Sequence, residues 1–154
     1  MTGQRVAVYF DIENLCYPFR AKGRLTDGID LIAEFLSALR GTSIVVSALG
    51  VCDRDTQHLV AFPLSGLGVR VFSHLGGPDA ADAALTAHIR GELPASVGTV
   101  VIASGDHYFA AVARELQAGG RRVMVASLGH ALSHELYRAA DEAHLFPVDA
   151  ASAA

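Results

Sequence analysis

Three short stretches hold the polar side chains best suited to chemistry: Asp11, Glu13 and Asn14 in "FDIEN", Asp79 and Asp82 after "HLGGP", and Asp106 in "SGDHYF". Carboxylates joined by an amide, with no lysine beside them, are the oxygen donors that Mg2+ and Mn2+ prefer. The matching chemistry is phosphoryl transfer to water, because a divalent cation polarises a phosphate and lowers the pKa of a water beside it. Each carboxylate also has a plain structural use. Asp79 can cap a helix with Asp82 as its capping-box partner, and Asp106 or Ser104 can cap the helix that follows them. Asp11 is expected to have no such use, since no periodic helix is expected to open at residue 12.

These residues need a scaffold that brings them together. Short apolar runs read as strands at Val6 to Phe10, Ser43 to Leu49, Val69 to Phe72, Thr99 to Ala103 and Arg122 to Ala126, with a shorter Leu145-Phe146. Unbroken Val/Ile/Leu runs suit strands covered on both faces. Helical spacing fills Ile29 to Leu39, Thr56 to Leu67, Ala80 to Gly91, His107 to Ala118 and Ala131 to Ala140. Alternation of strand and helix predicts an α/β, three-layer, Rossmann-like fold with a mostly parallel central sheet of five to six strands. In such sheets ligands bind beyond the carboxyl ends of the strands. Asp11 follows the first strand, Asp79 and Asp82 the third, and Asp106 the fourth, so all are expected on one edge.

Composition bounds the setting. The 154 residues, 51% of them hydrophobic, are enough for one well-cored domain, expected over residues 1–148, with a frayed tail at 149–154. No apolar run reaches the length of a membrane span, and the first residues lack the pattern of a signal peptide, so the expected location is the cytoplasm. Cys16 and Cys52 lack zinc-site spacing and read as reduced thiols. A net charge of −4 argues against coating of nucleic acid by the whole surface and leaves a local basic groove open. Lys22 is the one lysine beside eleven arginines, which excludes a P-loop and a phosphoaspartate site that needs a later lysine. "DIENLC" after the first strand excludes the glycine fingerprint of a dinucleotide-binding domain.

Taken together, "VAVYFDIENL" (6–15), "GGPDAADAAL" (76–85), "VVIASGDHYFAAVARELQAGGRRVMVAS" (100–127) and "LSHELYRAADEAHLF" (132–146) resemble the NYN domain family of PIN-like metal-dependent ribonucleases, over residues 5–147. The resemblance implies Mg2+ or Mn2+ and cleavage of RNA phosphodiesters. It carries the family's metal-site positions onto Asp11, Asn14, Asp82 and Asp106, with Ser104 and Gly105 forming the turn that presents Asp106. Two acidic positions of the family are replaced, by Tyr108 and His88, which removes negative charge and predicts one metal site. A fold kept as an RNA-binding or dimerisation module is the alternative reading.

The stretch "CYPFRAKGR" (16–24) interleaves Tyr17 and Phe19 with Arg20, Lys22 and Arg24, the mix that stacks bases and holds phosphates of single-stranded RNA. It is the expected substrate loop, the other reading being a solvated loop with both aromatics in the core. Arg54 could reach the same edge, and His107 is expected to face the cleft. The remaining histidines, His74 among them, read as surface or packing residues. A homodimer is a further expectation.

Overall fold

The computed structural model describes residues 3–147, so the tail expected at 149–154 lies outside the described residues. Six strands form one all-parallel sheet in the order β3-β2-β1-β4-β5-β6. They are β1 (Gln4–Asp11), β2 (Ser43–Cys52), β3 (Arg70–Ser73), β4 (Thr99–Ala103), β5 (Arg122–Leu128) and β6 (Glu142–Phe146). The chain moves outward from β1 through β2 to β3, then returns to β4 on the other side of β1. That reversal makes the space beyond β1 and β4 the switch point where open parallel sheets bind ligands.

Helices α1 (Ile12–Arg20), α2 (Leu25–Thr42) and α3 (Arg54–Gly66) cover one face, and α4 (Ala80–Glu92), α5 (Ala110–Ala118) and α6 (His134–Ala139) the other. Alternation along β1 decides which residues go where. Val6, Val8 and Phe10 pack with Ile32, Phe35 and Leu36 of α2, whereas Ala7 and Tyr9 pack with Leu85, Ile89 and Val112 of α4 and α5. Two apolar cores therefore sandwich a sheet whose central strands are buried on both faces. The three-layer α/β expectation holds.

Three local expectations need correction. A helix, α1, does open at residue 12, with Asp11 as its N-cap, and runs to residue 20 through the first part of the expected 16–24 loop, with Ile12, Leu15, Cys16 and Phe19 as its buried stripe and Pro18 inside it. This helix starts close against β2: a Cβ on Gly50 would stand 2.5 Å from Ile12 Cδ1, so any larger residue there would force the buried Ile12 side chain to shift. Residues 107–109 form a 3-10 turn before α5, and 129–131 another before α6. β6 is five residues long, not two: Glu142 to Phe146 pair in register with Met124 to Leu128 of β5, and an edge strand tolerates polar residues such as Glu142 that an apolar run does not include.

Candidate active site

Beyond the carboxyl ends of β1 and β4 lies a cleft of about 460 Å3 whose lining includes Asp11, Glu13, Asn14, Asp79, Asp82 and Asp106. One wall is built by β1, the first turn of α1 and the Ser104-Gly105-Asp106 turn after β4. Asp11, 4% exposed, caps α1 by accepting the Asn14 N–H at 3.3 Å on Oδ1. Its Oδ2 accepts the Ser104 hydroxyl at 2.9 Å, and the Ser104 oxygen in turn accepts the Asp106 N–H at 3.2 Å. Asn14 reaches across from α1, its Oδ1 accepting the Gly105 N–H at 3.1 Å. The Gly105 carbonyl accepts from Ser133 N–H at 2.8 Å, so the turn is gripped from both sides. A Cβ on Gly105 would fall 2.1 Å from the Ala131 carbonyl oxygen and 2.6 Å from Ser127 Oγ. Glycine is the residue this close approach permits. Asp106 also caps the following 3-10 turn by accepting the Tyr108 N–H at 2.9 Å.

The other wall is the first turn of α4. The capping box expected from Asp79 and Asp82 does not form: Asp79 sits in the left-handed region at φ 56° and makes no side-chain cap bond. Asp82, 6% exposed, is turned inward instead. Burial, then the nearby charges of Asp106 and Asp11, then a hydrogen bond with Asp106, push its carboxyl up to about 7. Burial likewise pushes Asp11 up to about 6, against the downward pull of its bonds to Ser104 and Asn14. Crowded carboxylates hold protons until an opposite charge arrives.

Among the described residues, no three His, Cys, Asp or Glu side chains stand together as a ready-made metal cage. The donor chemistry nevertheless fits a hard cation. Asp11, Asp82 and Asp106 line the cleft with the Asn14 amide, two of them at raised pKa, and among the described residues no Lys or Arg lines it to neutralise them.

The other sequence candidates divide. Tyr17 lines the cleft and is 69% exposed, while Phe19 is buried in the core, so the two expected stacking aromatics part company. The His107 side chain is exposed, with Nδ1 3.4 Å from Asp106 Oδ1. Arg20 bonds to Thr56 and lies 3.7 Å from Asp53. Arg24 pairs with Asp27 at 2.7 Å and borders a separate groove between α2 and β6, and Lys22 lies in the turn after α1. Helix formation over 12–20 thus carries these three basic residues away from the cleft lining. Arg54 opens α3 and is not in that lining either. His88 packs its ring 4.6 Å from Phe72 and its Nδ1 3.3 Å from Glu92, and Tyr108 stands against Phe109. Sequence reasoning missed His74, which lines the cleft and places Nε2 2.6 Å from Glu13 Oε1. Its place directly after β3, on the edge that already drew attention to Asp79, was the available signal.

A six-stranded parallel sheet with an acidic cleft at its switch point defines a Rossmann-like α/β protein with a cleft where such sheets bind ligands. The chain belongs to the NYN domain family, whose profile matches residues 5–147. Membership implies a nuclease-like function of the ribonuclease kind, and such domains generally bind RNA and use divalent metals. A crystallised protein of unknown function from Vibrio parahaemolyticus is similar in structure, with TM-score 0.73 and 21% identity over 96% of this chain and 94% of that one. At that identity the likeness supports the fold. No curated protein matches the chain significantly. Among the described residues no helix is long and apolar enough to cross a membrane.

Proposed function

We propose that this protein is a ribonuclease, dependent on Mg2+ or Mn2+, that hydrolyses phosphodiester bonds of single-stranded RNA in the cytoplasm. The observation that carries this is that Asp11, Asp82, Asp106 and Asn14 line one cleft at the β1/β4 switch point. These three carboxylates would hold the cation, which on binding would polarise the phosphodiester and lower the pKa of an attacking water.

The chain's own groups have separable tasks. Ser104 and the Asn14 N–H fix both oxygens of Asp11, so this carboxylate is oriented before any ligand arrives. Asn14 spends its Oδ1 on Gly105, which leaves its NH2 to donate to a water or a phosphate oxygen without adding charge. Tyr17 on the rim offers a face for base stacking, and the exposed His107 ring beside Asp106 offers a donor to a phosphate. A polyanion would be repelled by a cleft lined with Asp11, Glu13, Asp79, Asp82 and Asp106, so the cation is needed for substrate entry as well as for chemistry.

The test is cleavage of a fluorescent single-stranded RNA by native protein with Mn2+, native protein with EDTA, and Asp106→Asn with Mn2+. Cleavage in the first alone is expected; cutting that survives EDTA would overturn the cation's role. A second reading, an RNA-binding module without turnover, is favoured by the Asp106 cap on Tyr108 and by the loss of acids at Tyr108 and His88. It predicts no cleavage anywhere and equal RNA binding with and without EDTA.

A further inference from the structure

The link between Glu13 and His74 joins two parts of the cleft that are 61 residues apart in sequence. Glu13 stands in the first turn of α1, between Asp11 and Asn14, and His74 directly follows β3. The His74 backbone is anchored, its N–H donating to the Cys52 carbonyl at 3.1 Å beyond the end of the β2/β3 ladder. Its side chain is 11% exposed. Nδ1 accepts the Gly76 N–H at 3.0 Å, so the ring proton of the neutral imidazole belongs on Nε2, where it donates to Glu13 at 2.6 Å. One ring thus holds its own loop with one nitrogen and the opposite wall with the other.

That loop needs holding. Residues 75–79 are all exposed, and Gly76, Gly77 and Asp79 take positive φ values of 94°, 103° and 56°. It leads directly into α4, whose first turn carries Asp82. The same bond occupies Glu13, the carboxylate nearest in sequence to Asp11, and keeps it directed at an imidazole.

We propose that the Glu13–His74 pair is a strap across the mouth of the cleft: it positions the β3–α4 loop, and through it Asp82, while withholding the Glu13 carboxylate from the cation. Both are positioning residues. The inference rests on the reading of the cleft as a nuclease centre for its effect on catalysis, but the strap itself is a property of the cation-free protein.

Two readouts test it. Hydrogen exchange of the amides of residues 75–77, 79 and 80 in EDTA should be faster in His74→Ala than in native protein, and RNA cleavage by the variant in Mn2+ should show kcat lowered about tenfold with KM unchanged. Glu13→Gln keeps an oxygen that accepts the Nε2–H, so it should restore slow exchange and bring kcat to within about threefold of native. If His74→Ala does not fold, Glu13→Ala severs the same bond from α1 and takes its place. Unchanged exchange in the severed variant would overturn the strap. So would a Glu13→Gln protein as inactive as Asp82→Asn, since Glu13 would then be a ligand. If native protein cuts no RNA, the nuclease reading falls, and the exchange measurement alone decides the strap.

Discussion

The two walls of the cleft are built in opposite ways. On the β1/β4 wall, Asp11, Ser104, Gly105 and the Asn14 side-chain oxygen are tied into one hydrogen-bonded network over buried strand ends. On the α4 wall, Asp79 lacks a side-chain cap, the approach loop is exposed, and the closest partner of Asp82 is another acid. Folding alone completes the first wall. The second crowds acids that must hold protons, and the proposed cation would relieve that crowding. A site that must accept and release a charged ligand gains from one rigid wall and one that responds.

This contrast is easiest to break at Gly105. Gly105→Ala drives a Cβ into the Ala131 carbonyl and should lower stability by about 3 kcal/mol or prevent folding, read by chemical denaturation. A variant of native stability would show that the turn is not clamped. Ser104→Ala removes a fully buried hydroxyl and should cost about 1–2 kcal/mol. The loss should be larger at pH 8 than at pH 5, because the bond to Ser104 favours the ionised form of Asp11.

The responsive wall makes a pH prediction with a definite sign. Asp11 and Asp82 rise from 3.8 to about 6 and about 7 on folding, so the folded state keeps protons that the unfolded chain releases. Their contribution to stability is full below pH 3.8 and is lost as pH rises through about 6 to 7. Melting temperature in EDTA should therefore fall between about pH 4 and pH 7. Asp53 and Asp141, held low by hydrogen bonds, act in the opposite sense only below that window. A melting temperature that climbs steadily from pH 4 to 7 would contradict the placement of the two buried acids. The smallest effect is expected at Asp79, where Asp79→Gly relieves a left-handed backbone and should stabilise the cation-free protein by about 0.5 kcal/mol.

Much of this was readable before any coordinates. Strand-end acids in a parallel α/β sheet must gather on one edge, so Asp11, Asp82 and Asp106 could be grouped without knowing a single contact. The first turn of α4 was harder, because Asp79 and Asp82 have capping-box spacing, yet Asp79 takes a left-handed backbone without a side-chain cap and Asp82 is buried. Helix α1 was overlooked although Ile12, Leu15, Cys16 and Phe19 have helical spacing, since Pro18 and the interleaved aromatic and basic residues imitate a substrate loop. The Glu13–His74 bond depends on where the first turn of α1 and the loop after β3 meet in space, which no local pattern encodes.

The most direct test of the cation centre is the melting temperature of native protein and Asp82→Asn at pH 7.5, each in EDTA and in Mn2+. Native protein should melt several degrees higher with Mn2+. Asp82→Asn, relieved of one buried charge, should start higher in EDTA and gain nothing from Mn2+. Equal responses in the two proteins, or none in the native one, would contradict the assignment of Asp11, Asp82 and Asp106 as the cation site.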